Sequence, residues 1–139
     1  MSEKSSVRGE SVSKLMTTEV RTAAPGTTLS EIGEMLVEER CHHVPVLDGG
    51  RVVGMISSRD LVDAARARDA DTLSDSEAGA VTAAEVMSTD LQTIEPDGSI
   101  DVAIQRIGEG DIHALIVLDR DDALVGIVTH RDLLRYLMN

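Results

Sequence analysis

The sequence predicts an α/β (α+β) architecture made of two tandem β-α-β-β-α repeats packed about a pseudo-twofold axis. Three observations carry that expectation. The stretch Gly54-Met55-Ile56-Ser57-Ser58-Arg59-Asp60-Leu61 returns as Gly126-Ile127-Val128-Thr129-His130-Arg131-Asp132-Leu133. Each copy reads as an apolar strand that ends on a hydroxyl residue and turns into a helix with an Asp in its first turn. The segment Met16 to Gly26 likewise returns as Met87 to Gly98, about 71 positions on, with Pro25 and Pro96 in register. Between these landmarks, both halves place a helical-period apolar run followed by two β-rich runs around a polar turn. Either repeat alone is too small to bury a convincing core, so the two should dock on each other and leave a cleft between them.

Taken in order, residues 1–10 are polar and aperiodic and are read as a mobile tail. A short helical turn near Ser11 to Leu15 leads into the first repeat, assigned to residues 11–68. Pro25-Gly26 marks a turn. Thr28 and Glu31 then form a capping-box pattern ahead of Leu29, Ile32, Met35 and Leu36, which predicts a helix from about Leu29 to Arg40. Val44 to Leu47 and Arg51 to Ser57 flank Asp48-Gly49-Gly50, a hairpin signature. A helix over Arg59 to Arg68 follows, with Leu61, Val62, Ala64 and Ala65 available for its buried face. Residues 69–81 are acidic, small and poorly periodic, and are read as a linker.

The second repeat, residues 82–139, replays this order. Ser99 caps a helix carrying Ile100, Ala103, Ile104 and Ile107. Ile112 to Leu118 and Leu124 to Thr129 are the strands around Asp119 to Asp122, and Arg131 to Leu137 is the closing helix.

Composition narrows the function classes. In 139 residues, hydrophobic residues make up 42% and charged residues 27%, too polar for a membrane protein. No apolar run reaches the roughly 20 residues of a spanning helix, and the polar start lacks the apolar core of a signal peptide. A cytoplasmic location is expected. The formal charge of −12 disfavours nucleic acid and anionic lipid, so an anionic ligand needs a local basic pocket. Cys41 is the single cysteine, which rules out an internal disulfide. Cys41-His42-His43 lacks the further clustered ligands of a tetrahedral metal site, so no metal is expected, and Cys41 is read as a small buried hydrophobe.

Met16, Pro25, His42-His43-Val44-Pro45-Val46 and Gly54 through Asp60, with the same order again from Met87, resemble a tandem pair of cystathionine-β-synthase (CBS) domains, the arrangement called a Bateman module. The resemblance covers roughly Ser11 to Leu137. It implies a regulatory, non-enzymatic module with an adenine nucleotide ligand, AMP, ADP or ATP; S-adenosylmethionine and NAD are alternatives, and no cofactor is obligatory. It also implies composite sites. One would use Ser57 and Asp60 at the ribose with His42 near the phosphates, and Thr89, Leu91, Ala114 and Leu115 around the base. Its mirror would use Thr129, Asp132 and His113, with Thr18, Val20, His43 and Val44. The resemblance further implies a homodimer, acting on a regulated enzyme or transporter in trans.

Side-chain chemistry fits such a ligand. An ionised Asp accepts two hydrogen bonds, which suits a vicinal diol. A phosphate would sit near a helix N-terminus, with His42, Arg59, His113, His130 and Arg131 as candidate cations. Ser57-x-x-Asp60 and Thr129-x-x-Asp132 also fit plain helix caps. A ligand-independent dimerisation or protein-interaction module, its motifs only capping helices, is therefore the alternative function. The second repeat departs from the family pattern with Ile116 where the first has Pro45. Ser57 stands where Thr129 is the commoner choice, and Ala114 replaces a polar or basic residue. The two sites can thus differ in affinity, and one can be empty. No nucleophile with its base, paired-carboxylate site or phosphate-cradling Gly-rich loop is present.

Overall fold

The computed structural model describes residues 9–38, 41–67, 81–109 and 112–138. Residues 1–8 of the tail expected over 1–10, residues 69–80 of the linker expected over 69–81 and the Ala65 side chain lie outside the described residues. Among the described residues, no helix is long and apolar enough to cross a membrane.

The chain divides into two units that do not follow the sequence repeats. Arg21–Leu91 forms a central unit; the residues before Arg21 group with those from Gln92 onward in a terminal unit.

In the central unit, α1 (Leu29–Glu38) starts where Thr28 Oγ1 accepts from the Glu31 N–H at 3.2 Å and donates to Glu31 Oε1 at 3.1 Å. Its Leu29, Ile32 and Leu36 are buried at one-turn spacing. Strands β1 (His43–Asp48) and β2 (Arg51–Ser57) pair antiparallel, with His43 opposite Ser57 and a register shift between Val46 and Leu47. Gly49 and Gly50 have φ of 61° and 85°, which a side chain would resist, so the Asp48-Gly49-Gly50 turn needs both glycines. Helix α2 (Ser58–Ala67) follows without a break. Its Ala64 is buried and Leu61 packs against the core, whereas Val62, expected on the buried face, is 62% exposed.

Helix α3 (Ala83–Val86) opens on a capping box between Thr82 and Glu85. It belongs to the core of the central unit: Val81 and Ala83 are buried with Leu29, Ile32, Val44, Val46 and Ile56.

The terminal unit repeats the plan. Strand β3 (Thr93–Ile94) runs parallel to β4 (Ala114–Leu118), which pairs antiparallel with β5 (Leu124–Thr129). Helix α4 (Ile100–Gly108) is capped by Ser99 Oγ, which accepts from the Val102 N–H at 3.1 Å, and α5 (His130–Met138) follows β5 directly. The β4–β5 turn differs from its counterpart. Asp119 Oδ1 accepts from the N–H groups of Asp121 and Ala123 at 2.9 and 3.0 Å, and Asp122 takes the left-handed conformation at φ 62°. Among the described residues, the counterpart of strand β3 in the central unit is a single parallel bridge, Ala23 to Val46. The Arg106 guanidinium donates to Thr93 O at 2.6 Å and Gln92 Oε1 at 2.9 Å, and Met35 at the matching place has no donor.

Each unit is completed by a flank that precedes the other repeat in sequence. In the terminal unit, a 3-10 turn at Val12–Lys14 buries Val12 among Ile100, Leu115, Val117 and Val128. The N–H of Val12 donates to Gly98 O at 2.8 Å, and that of Ile100 to Glu10 O at 2.8 Å. In the central unit, the N–H of Ala83 donates to Thr27 O at 2.8 Å, and that of Leu29 to Val81 O at 3.0 Å. Further along, Thr17 and Ile127 exchange two backbone bonds, both 2.9 Å; Ser88 and Met55 exchange a matching pair at 2.9 and 3.0 Å.

These crossings demand a glycine on each strand. A Cβ on Gly126 would meet Met16 Sδ at 2.7 Å and the Thr17 carbonyl oxygen at 2.9 Å; one on Gly54 would collide with the Met87 side chain. A methionine tail can swing away, but a backbone carbonyl in a ladder cannot. Gly126→Ala should therefore cost about 2 kcal/mol or more, and Gly54→Ala less. Urea unfolding measures both, and a neutral Gly126→Ala would show that the crossing is loose.

Candidate functional site

The junctions β2–α2 and β5–α5 are built alike. Ser57 ends its strand, and its N–H and hydroxyl both donate to Asp60 Oδ2, at 2.7 and 3.0 Å. The Asp60 N–H donates in return to Ser57 Oγ at 3.2 Å. This is a reciprocal cap with Asp in place of the usual Glu, and it satisfies two of the amides left open at the strand-to-helix turn. At the second junction, the Thr129 N–H and hydroxyl donate to Asp132 Oδ2 at 2.9 and 3.2 Å, and the return bond from the Asp132 N–H is 3.5 Å. Capping is thus real at both places, and it engages one carboxylate oxygen of each Asp.

The second oxygens differ. Asp132 Oδ1 accepts the Thr17 hydroxyl at 2.8 Å, and Asp132 is 5% exposed. Asp60 is only half-buried, and its Oδ1 accepts no hydrogen bond among the described residues. Ser88, the counterpart of Thr17, holds the same backbone pairing but makes no side-chain bond there.

Around the first junction, exposed His42 lies at the start of α2: its carbonyl accepts the Ser58 N–H at 3.0 Å and its Nδ1 is 3.5 Å from Ser58 Oγ. Arg59 is exposed in the first turn, and neither it nor Arg131 makes an ion pair or hydrogen bond among the described residues. Around the second junction, the rings of exposed His113 and His130 lie 5.9 Å apart, tilted by 40°. Ala114 stands opposite Thr129 on the ladder, as His43 does opposite Ser57.

The structure thus brings Ser57, Arg59, Asp60, His42 and His43 together in the central unit, with Thr89 and Leu91 on the flank that crosses β2. Thr129, Arg131, Asp132, His113 and Ala114 come together in the terminal unit, with Thr18 and Val20 on its crossing flank. Val44 and Leu115 are fully buried, each in its own core. Sequence reasoning missed Thr17. Its signal was the recurrence of a hydroxyl residue directly after the methionine, Met16-Thr17 and Met87-Ser88.

No group of three or more His, Cys, Asp or Glu side chains among the described residues could hold a metal ion. Cys41 is half-buried against the central core, its thiol 3.9 Å from Met35 O.

Asp132 holds three donors out of water where Asp60 holds two, so truncation should cost more at Asp132. Asp132→Ala should destabilise by about 2 to 3 kcal/mol, and Asp60→Ala by about 1 kcal/mol, the ordinary value of a helix cap. Equal midpoints for the two variants in ligand-free urea unfolding would contradict this ranking.

Comparison with known proteins agrees with this architecture. The CBS domain family pattern matches twice, at residues 12–67 and 83–139. The chain is 32% identical over 123 residues to the CBS domain-containing protein YhcV of Bacillus subtilis, covering 88% of this chain and 82% of that one. It is also 28% identical over 127 residues to a homoserine O-acetyltransferase of Methanohalobium evestigatum, covering 91% of this chain but only 24% of the enzyme. Among solved structures, the CBS domain pair of protein MJ0100, in complex with 5′-methylthioadenosine and S-adenosyl-L-methionine, superposes with a TM-score of 0.77 at 25% identity, over 92% of this chain and 95% of that one. Two family matches that together span most of the sequence, on a fold shared with a solved pair, make this chain a member of the CBS domain family with two tandem CBS domains.

Proposed function

We propose that this chain is a regulatory module that binds an adenosine-containing ligand at its strand-to-helix junctions and signals occupancy through self-association or contact with a partner protein. The observation that carries the reading is the twice-built junction, in which an Asp is fixed by the hydroxyl residue three positions before it. An ionised carboxylate held in that way suits a ribose diol, since both hydroxyls can donate to it. Arg59, Arg131, His42, His113 and His130 add basic groups at the two helix starts of a chain whose net charge is −12. The adenosyl compounds in the MJ0100 complex support the same ligand class. AMP, ADP and ATP are the first ligands in this proposal, with S-adenosylmethionine and NAD as further adenosyl compounds. In this reading the module acts by binding alone.

A ligand shifts an assembly equilibrium only to the extent that it prefers one state. Exposed apolar side chains offer surfaces for such a response: Leu134, Leu137 and Met138 on α5, 58%, 45% and 81% exposed, and Val62 on α2. The same exposure favours a second reading, in which the chain dimerises or docks on an enzyme or transporter without any ligand and the junctions serve only as caps.

Calorimetry and thermal unfolding with AMP, ADP, ATP, NAD and S-adenosylmethionine separate the two. A ligand present at a hundred times its Kd should stabilise the fold by about 2.7 kcal/mol and raise Tm accordingly. Light scattering in the same samples then shows whether occupancy changes the assembly. An unmoved Tm with all five compounds, alongside a stable dimer, would establish the ligand-independent reading instead.

A further inference from the structure

We infer that the two junctions are not equivalent anchors: Asp60 takes the ligand's diol, whereas Thr17 closes Asp132 and turns it into an internal clamp. The inference rests on the adenosyl-ligand reading above and adds to it which site is used and which residue decides. A cis-diol approaching a carboxylate brings two donors and needs two open lone pairs on the oxygen the cap leaves uncovered. At Asp60 the Ser57 N–H and hydroxyl share Oδ2, and Oδ1 accepts no bond among the described residues. At Asp132 the Thr129 N–H and hydroxyl occupy Oδ2, and the Thr17 hydroxyl occupies Oδ1 at 2.8 Å.

Thr17 is fixed in that role. Its N–H and carbonyl are both paired with Ile127, which sets its backbone across β5 beside Gly126. Rotating the hydroxyl away would break a hydrogen bond to an ion that is 5% exposed, the costly kind to lose. A diol at Asp132 finds one lone pair of Oδ1 already taken, and to seat both hydroxyls it would have to displace Thr17 from a buried carboxylate. At Asp60 the corresponding Ser88 is exposed and makes no side-chain bond among the described residues, so nothing has to be displaced.

The test is calorimetric titration of the full chain with AMP and, separately, S-adenosylmethionine, together with mapping of backbone amide shifts. One equivalent should bind, with the largest amide shifts from Ser57 to Leu61. Asp60→Asn should weaken binding by about tenfold or more, the loss of one charge-assisted bond. Thr17→Ala should open a second equivalent. Should Asp60→Asn not fold, the amide map of the unaltered protein decides alone. Two equal equivalents, or shifts centred on Thr129 to Leu133, overturn the inference and leave the adenosyl-ligand reading standing. A Thr17→Ala protein that still binds one equivalent removes Thr17 as the closing group. No binding of these two or of ADP, ATP and NAD overturns both the inference and the reading beneath it.

Discussion

The contact on which the rest of the structure depends is the crossing of a flanking segment over a strand at its glycine. At Gly126 the Thr17 carbonyl and the Met16 side chain occupy the space a Cβ would take, and at Gly54 the Met87 side chain does so. Because the flank can come that close, it exchanges two backbone bonds with the strand, and Val12 or Ala83 drops into the core beneath. Glycine in the repeated motif is thus a matter of access for a neighbouring backbone. The positive-φ glycines of the β1–β2 turn meet a different demand.

Local chemistry set at the same places then produces the junctions. A strand needs a stop and a helix needs a cap, and Ser57 with Asp60, or Thr129 with Asp132, supplies both within four residues. The arrangement is economical in sequence, and it leaves a carboxylate whose remaining capacity depends on what the crossing flank carries. With Thr17 on the flank that capacity is used inside the protein; with Ser88 it is not. A single methyl group separates these two side chains. Threonine's branched Cβ restricts its rotamers more than serine's does, which helps hold its hydroxyl on target.

Much of this was legible in the residues. The hairpins followed from Asp48-Gly49-Gly50 and from the polar run after Leu118, and helices α1 and α4 from caps followed by apolar residues one turn apart. The paired junctions and the basic residues beside them were visible as a motif occurring twice. Val62 was misplaced because a short helix with few large apolar residues leaves its phase weakly defined, and the fold turned that residue to solvent. The reach of the flanks was not legible, because Val12–Lys14 and Ala83–Val86 are too short to show a period. Their partners lie on strands and helices far away in the sequence. Thr17 escaped notice for the same reason: its bond to Asp132 spans 115 positions.

That span has a kinetic meaning. The central unit, Arg21–Leu91, is one continuous stretch, and every partner it needs is present once Leu91 has been synthesised. The terminal unit cannot close until β5 exists to receive Thr17, and by then the whole central unit lies in the loop that must be closed. Closing a loop costs less when its interior is already compact and its ends are near each other than when it is a free coil of the same length. The order of emergence from the ribosome therefore favours a sequence of events in which the inner unit forms first, and the flank from Val12 to Thr17 finds its place among the last.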